Sequence, residues 1–119
     1  MPQLAAIVIH CRDPYLMAPF WSQVTGLPVA AEDRIKIADR TLGPTESVLL
    51  RDPAGSGPDI WIAPAGDLPP VGRIHLDLAA ADDELAAVVA AGATVRHTLP
   101  RWTVLADPEG NEFCLFRRH

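Results

Sequence analysis

The sequence predicts an α+β protein built from two similar modules, each running strand, helix, then three strands. Three observations carry that expectation. A short phrase occurs twice, as Asp52-Pro53-Ala54-Gly55-Ser56 and as Asp107-Pro108-Glu109-Gly110-Asn111, each time straight after an apolar run. In both halves a strand-like stretch leads to an acidic residue that can open a helix, Asp13 in the first and Asp82 in the second. Both helices stop at a glycine followed by a β-rich run, at Gly26 and Gly92.

Residues 4–11 are nearly all apolar, as a buried strand would be. Asp13 suits a helix N-cap and Pro14 a first turn. Leu16, Met17, Phe20, Trp21 and Val24 recur at helical spacing and make one apolar face. Residues 27–38 read as one bent strand or two short ones, broken at Glu32-Asp33. Strands at 46–51 and 58–63 flank the loop that holds the first Asp-Pro phrase. The second module repeats this order with a strand at 73–79, a helix at 82–91 and strands at 93–97, 101–106 and 111–117. The modules span 1–64 and 73–119 of a single 1–119 domain, with a Pro/Gly-rich linker at 65–72. Either module alone would bury too little apolar surface to be stable, so the two are expected to pair.

Composition narrows the function. The 119 residues are 49% hydrophobic and carry a formal net charge of −5, with Lys36 as the only lysine and no basic stripe. Nucleic acid is therefore not an expected partner. No apolar run is long enough to span a membrane and no secretory signal opens the chain, so a cytoplasmic protein is expected. Cys11 and Cys114 lack metal-finger spacing and fit reduced thiols.

Strand alternation sorts the side chains into two sets. Ala6, Val8 and His10 share one face of the first strand, against Ile7, Ile9 and Cys11. His75 and Asp77 share a face in the second module, as do Glu112, Cys114 and Phe116 on the last strand and Asp59 and Trp61 on its first-module counterpart. Polar groups gather on one side and aliphatics on the side facing the helix. Apolar walls with a few polar groups describe a small-molecule pocket. Within it, His75 with Asp77 or Glu112 is the candidate catalytic set, because imidazole–carboxylate pairs move protons near neutral pH. His10, Asp59, Trp61, Trp102, Cys114 and Phe116 are the candidate ligand-binding residues.

The module order, the Phe20-Trp21…Gly26 helix end, the His75-Leu76-Asp77-Leu78 strand and the run from Trp102 to Phe113 through Asp107-Pro108-Glu109-Gly110-Asn111 resemble the glyoxalase-like branch of the vicinal oxygen chelate superfamily. The resemblance spans essentially the whole chain. It implies two βαβββ modules whose curled mixed sheets enclose a shared cleft, and it implies a homodimer. Metal-using members place one ligand on the first and one on the last strand of each module. Carried onto this chain, those positions are Ala6, Asp59 (or Trp61, if the Gly-rich loop holds an insertion), His75 and Cys114. Alanine offers no donor, so no metal and no other cofactor is expected. Should a metal bind, His75, Asp59, Cys114 and Glu112 are its candidate ligands. The leading expectation is a small-molecule-binding protein with metal-independent acid–base activity of isomerase, dehydratase or lyase type. The alternatives are a non-catalytic binder sequestering an antibiotic or toxic metabolite, and a metal-dependent lyase of the glyoxalase I type.

Overall fold

The structure, a computed structural model, describes residues 4–68 and 74–117. The chain divides into two compact units, Met1–Leu68 and Pro69–His119. Residues 69–72 of the expected linker and residue 73 of the expected second-module strand lie outside the described residues.

The first unit opens with β1 (Ala6–Cys11), followed by α1 (Pro14–Thr25). Asp13 caps α1 as its composition predicts: its carboxylate accepts from the Tyr15 N–H at 3.0 Å, and Pro14 follows at the helix start. Gly26 closes the helix at φ +77°, a left-handed conformation that favours glycine, and its N–H donates to the Ser22 carbonyl. Met17, Phe20 and Trp21 are buried, the latter two meeting edge to face at 5.2 Å.

The expected strands at 27–38 are corrected. Residues Ala31–Asp39 form a helix, α2, and only an isolated bridge, Val29 to Leu50, remains of strand pairing there. The Ile35-Lys36-Ile37 alternation mimics a strand. Glu32 and Asp33 nevertheless fall in a first turn, where the positive end of the helix dipole favours acids, and Lys36 falls in the last. Asp33 is buried and accepts the Leu49 N–H at 2.9 Å, which ties α2 to the strand β2 (Val48–Leu50). Lys36 pairs with Glu46, and that contact raises the lysine pKa and lowers the carboxyl pKa. β3 (Asp59–Pro64) completes a three-stranded sheet of order β1-β3-β2, with β1 and β3 parallel.

In the second unit β4 (Asp77–Ala80), α3 (Glu84–Ala91), β5 (Thr94–Thr98), β6 (Trp102–Ala106) and β7 (Glu112–Arg117) form a four-stranded sheet of order β4-β7-β6-β5 with its helix. Leu105, Phe113, Leu115 and Val88 are buried as its apolar core. Each unit thus holds a mixed sheet whose first and last strands run parallel, with the rest antiparallel. The α+β class and the βαβββ plan hold, with α2 occupying most of the first unit's second-strand position. Among the described residues no helix is long and apolar enough to cross a membrane.

Asp107 organises the β6–β7 turn. Its buried carboxylate accepts from the N–H groups of Glu109 and Asn111 and from the Asn111 side-chain amide, all within 2.7–2.9 Å. Gly110 takes φ +88° to close the turn. This clasp fixes the register of β7 against β6, and so decides which β7 side chains share a face.

Candidate functional site in the second sheet

Register defines the site. Asp77 pairs with Cys114 across β4–β7, and Cys114 pairs with Val104 across β7–β6. Ala79, Phe116 and Trp102 form the next row, and Glu112 with Ala106 the row on the other side. Paired residues project to the same face, so one side of this sheet carries Asp77, Glu112, Cys114, Phe116 and Trp102. Leu105, Phe113 and Leu115 alternate to the opposite side. Leu85 of α3 lines a cavity together with Leu115 and Thr103, which puts α3 on that opposite side.

His75 lies just before β4. The N–H of Cys114 donates to the Leu76 carbonyl at 2.9 Å, so the pairing extends beyond the strand and draws His75 to the site. His75 Nε2 lies 3.3 Å from Asp77 Oδ1. One donor atom from each of His75, Asp77 and Cys114 falls within 4.8 Å of the others. His75 and Asp77 are exposed, whereas Cys114 is only 5% exposed. Burial, then the nearby carboxylates of Asp77 and Glu112, push the Cys114 thiol above the ordinary thiol range. It is held as a neutral thiol at pH 7, the opposite of an activated nucleophile.

Two residues along β7, Phe116 meets Trp102 with ring centroids 5.7 Å apart at a 31° tilt. Each is 36% exposed, a large apolar surface left uncovered. Both also border the cavity of about 160 Å³ that Ala80, Leu85, Thr103 and Leu115 line on the α3 side of the sheet, away from the donor-bearing face.

The first unit answers the same plan differently. Its register pairs Val8 with Trp61, Ala6 with Asp59, and Leu50 with Ile60. Counting back seven residues from Asp13 and from Asp82 matches Ala6 to His75, and on that match the pairings set Val8 against Asp77, Asp59 against Glu112 and Trp61 against Cys114. Counted from Asp52 and Asp107, that match makes the first loop two residues longer and puts Trp61, with Asp59 two residues before it on the same face, at the place that Cys114 holds in the second unit. Asp59 is gripped by Arg51 through two contacts of 3.0 and 2.7 Å, which lowers its pKa. His10 sits exposed on β1 opposite Ala63.

The candidates therefore sort by unit. His75, Asp77 and Cys114 come together, Glu112 shares their face, and Trp102 and Phe116 continue it; His10, Asp59 and Trp61 belong to the first sheet. Sequence reasoning passed over His97. It pairs with Val104 in β5, in the same row as Cys114 and Asp77. The bulge between Val95 and His97 breaks the period-two pattern that would have signalled its face.

The metal positions that the superfamily resemblance implies are Ala6, Asp59 or Trp61, His75 and Cys114. Of these positions Ala6 has no donor, Trp61 has none and Asp59 is held by Arg51, while His75 offers an imidazole and Cys114 a soft sulfur. A hard octahedral ion needs several oxygen and imidazole ligands. The four-ligand site does not fit this chain.

The sequence profile of the glyoxalase-like domain matches residues 6–116, and the chain belongs to that family. Its fold is that of the glyoxalase/bleomycin resistance/dioxygenase superfamily. It is similar to a glyoxalase/bleomycin resistance protein/dioxygenase family enzyme from Burkholderia phytofirmans PsJN, at 22% identity and TM-score 0.65 over 98% of each chain. It is similar also to the fosfomycin resistance protein FosX of Listeria monocytogenes, at 14% identity and TM-score 0.70, covering 100% of this chain and 93% of that one. A glyoxalase/bleomycin resistance protein from Albidiferax ferrireducens T118 matches at 20% identity and TM-score 0.63, over 97% and 98% of the two chains. No curated protein matches the sequence.

Proposed function

We propose that the protein binds a small organic molecule on the donor-bearing face of its second sheet and acts on it without a metal, in an isomerase-, dehydratase- or lyase-type step driven by proton transfer. The observation that carries this reading is the 3.3 Å approach of His75 Nε2 to Asp77 Oδ1, beside an uncovered aromatic pair. An imidazole that keeps its Nε2 proton toward Asp77 presents Nδ1 as the base. The carboxylate then steadies the imidazolium formed when a substrate proton arrives. Glu112, on the same face, is the second group able to exchange that proton. Cys114 stays protonated and serves as a wall and weak hydrogen-bond partner. Membership of the glyoxalase-like family supports small-molecule binding. Two free cysteines are consistent with the cytoplasm, and the family resemblance supports a homodimer, which light scattering on the purified protein would establish.

The test is a ligand screen on wild-type, His75→Ala, Glu112→Ala and Trp102→Ala proteins, in EDTA. Turnover by wild type, its loss in His75→Ala and retained ligand binding there would support the reading. Binding that is unchanged in both polar variants, with no turnover of any bound ligand, would replace it with sequestration, a role the aromatic pair alone could fill. Turnover that EDTA abolishes and a divalent ion restores would overturn the metal-independent step.

A further inference from the structure

In the first unit α2 takes the place of a strand, and a cleft of about 450 Å³ lies between it and the later turns of α1. That size falls within the range of about 300–1,000 Å³ usual for small-molecule sites. Pro19 from α1, Pro28 and Val29 from the connection, and Ile37 and Ala38 from α2 give it aliphatic walls. Three polar side chains join them: Ser22, Gln23 and Arg34. The Ser22 hydroxyl donates to the Leu27 carbonyl at 2.7 Å, so its proton is already used. The Gln23 amide and the Arg34 guanidinium make no side-chain hydrogen bond or ion pair among the described residues, which leaves both as donors for a ligand.

Arg34 is the one charged residue among the described residues that line the cleft. Its isolation follows from the sequence. The places three and four residues away on the helix are Ala30, Ala31, Ile37 and Ala38, and none offers a carboxylate. The two acids in the first turn of α2 are engaged elsewhere. Asp33 accepts the Leu49 N–H, and Glu32 stands near enough to Lys36 and Arg51 to favour their charged forms. Other cations of this unit have partners: Lys36 pairs with Glu46, Arg51 with Asp59, and Arg40 lies 4.3 Å over the Tyr15 ring. An unpaired guanidinium beside aliphatic walls suits an anion that carries an apolar tail, and its planar fork matches a carboxylate.

We propose that this cleft is a second binding site, for an aliphatic monocarboxylate: its chain against Pro19, Val29 and Ile37, its carboxylate on Arg34 with the Gln23 amide as a further donor. The site belongs to the first unit, so it does not rest on the reading of the second sheet's donor-bearing face.

The probes are octanoate and 1-octanol, which share a chain and differ in head-group charge. Each is titrated by calorimetry at pH 7, where an ordinary carboxyl is ionised. Octanoate is expected to bind wild type at least about tenfold more tightly than octanol, the scale of a charge-assisted hydrogen bond. Arg34 and Ala38 are both exposed, so the fold should tolerate change at either. Arg34→Gln should bring the two affinities within threefold of each other and leave octanol within twofold of wild type. Ala38→Trp, which fills the cleft from α2, should weaken both probes at least tenfold. Arg101→Gln, in the cavity of the other unit, should change neither by more than twofold. Binding of neither probe, equal binding of the two, a preference that survives Arg34→Gln, or one that disappears in Arg101→Gln overturns the proposal. So does a dimer in light scattering that Ala38→Trp splits while octanoate fails to bind, because the cleft would then be a face between copies.

Discussion

The two units share one strand plan and spend it on different chemistry. At matching places the first unit has Ala6, Val8 and Trp61 where the second has His75, Asp77 and Cys114. Its one acidic counterpart, Asp59, is tied to Arg51, whereas Glu112 has no ion pair among the described residues. The turns differ in the same direction. Asp52 makes a single Asx contact to the Ala54 N–H in an exposed loop with left-handed glycines at 55 and 57, while Asp107 is buried and holds three donors. The second turn ends in Asn111, whose amide completes the clasp; the first has Ser56 at that place and, with Trp61 matched to Cys114, runs two residues longer. Duplication thus preserved the scaffold, while the reactive groups gathered on one copy.

Several substitutions press on that contrast. In catalysis the widest gap is expected between His75→Gln and His10→Gln. The first should lower turnover at least about 100-fold, the usual scale of a lost acid–base group, and the second should change it less than twofold. Steady-state kinetics on a substrate from the screen decides, and equal losses would erase the asymmetry. In stability, Asp107→Ala should cost about 3 kcal/mol, because it leaves the buried Asn111 amide and two N–H groups without their acceptor. Asp52→Ala should cost under about 0.5 kcal/mol, since its one contact is exposed. Urea unfolding midpoints compare the two, and similar shifts would mean the turns are equivalent.

A third measurement concerns Cys114 and pH. Its folded pKa is raised, so the folded state holds the thiol proton more tightly than the unfolded chain does. The resulting stabilisation is fully present below the unfolded thiol pKa and is lost as pH rises from there through the folded value. Alkylation of Cys114 by iodoacetamide should therefore keep accelerating past pH 9, and Glu112→Gln should move the profile to lower pH. A plateau near pH 8.5 would contradict the burial and carboxylate effects described above. The smallest effect is expected at Arg51→Ala. Asp59 has a depressed pKa, so its pairing favours folding above the unfolded carboxylate pKa and ceases to do so as pH falls through the folded one. The variant should lose a little stability at neutral pH and nothing further in strong acid, read from paired thermal melts.

Much of this was legible in the chain. Asp13, Pro14 and Gly26 mark α1 because caps and breakers act through local geometry. The alternation in β1, β4 and β7 sorted His75, Asp77, Cys114 and Glu112 correctly because one face of each strand is packed. Residues 27–38 misled because Ile35 and Ile37 sit at strand spacing, while the contact that ties the segment down as a helix, Asp33 to the Leu49 N–H, joins residues sixteen apart. The Asp59–Arg51 clamp was equally hidden, since it depends on how two strands align. His97 was missed for a related reason, because a bulge shifts parity without changing composition.

That bulge has a consequence beyond ligand recognition. β5 is the outermost strand of its sheet, and every one of its residues is exposed. A flat rim of this kind invites another chain to add itself, the first step toward fibres. The kink around Arg96, with a positive charge at the irregularity, interrupts the regular ladder an incoming strand would need. Removing one residue there to restore regular pairing would yield a protein more prone to clump on heating.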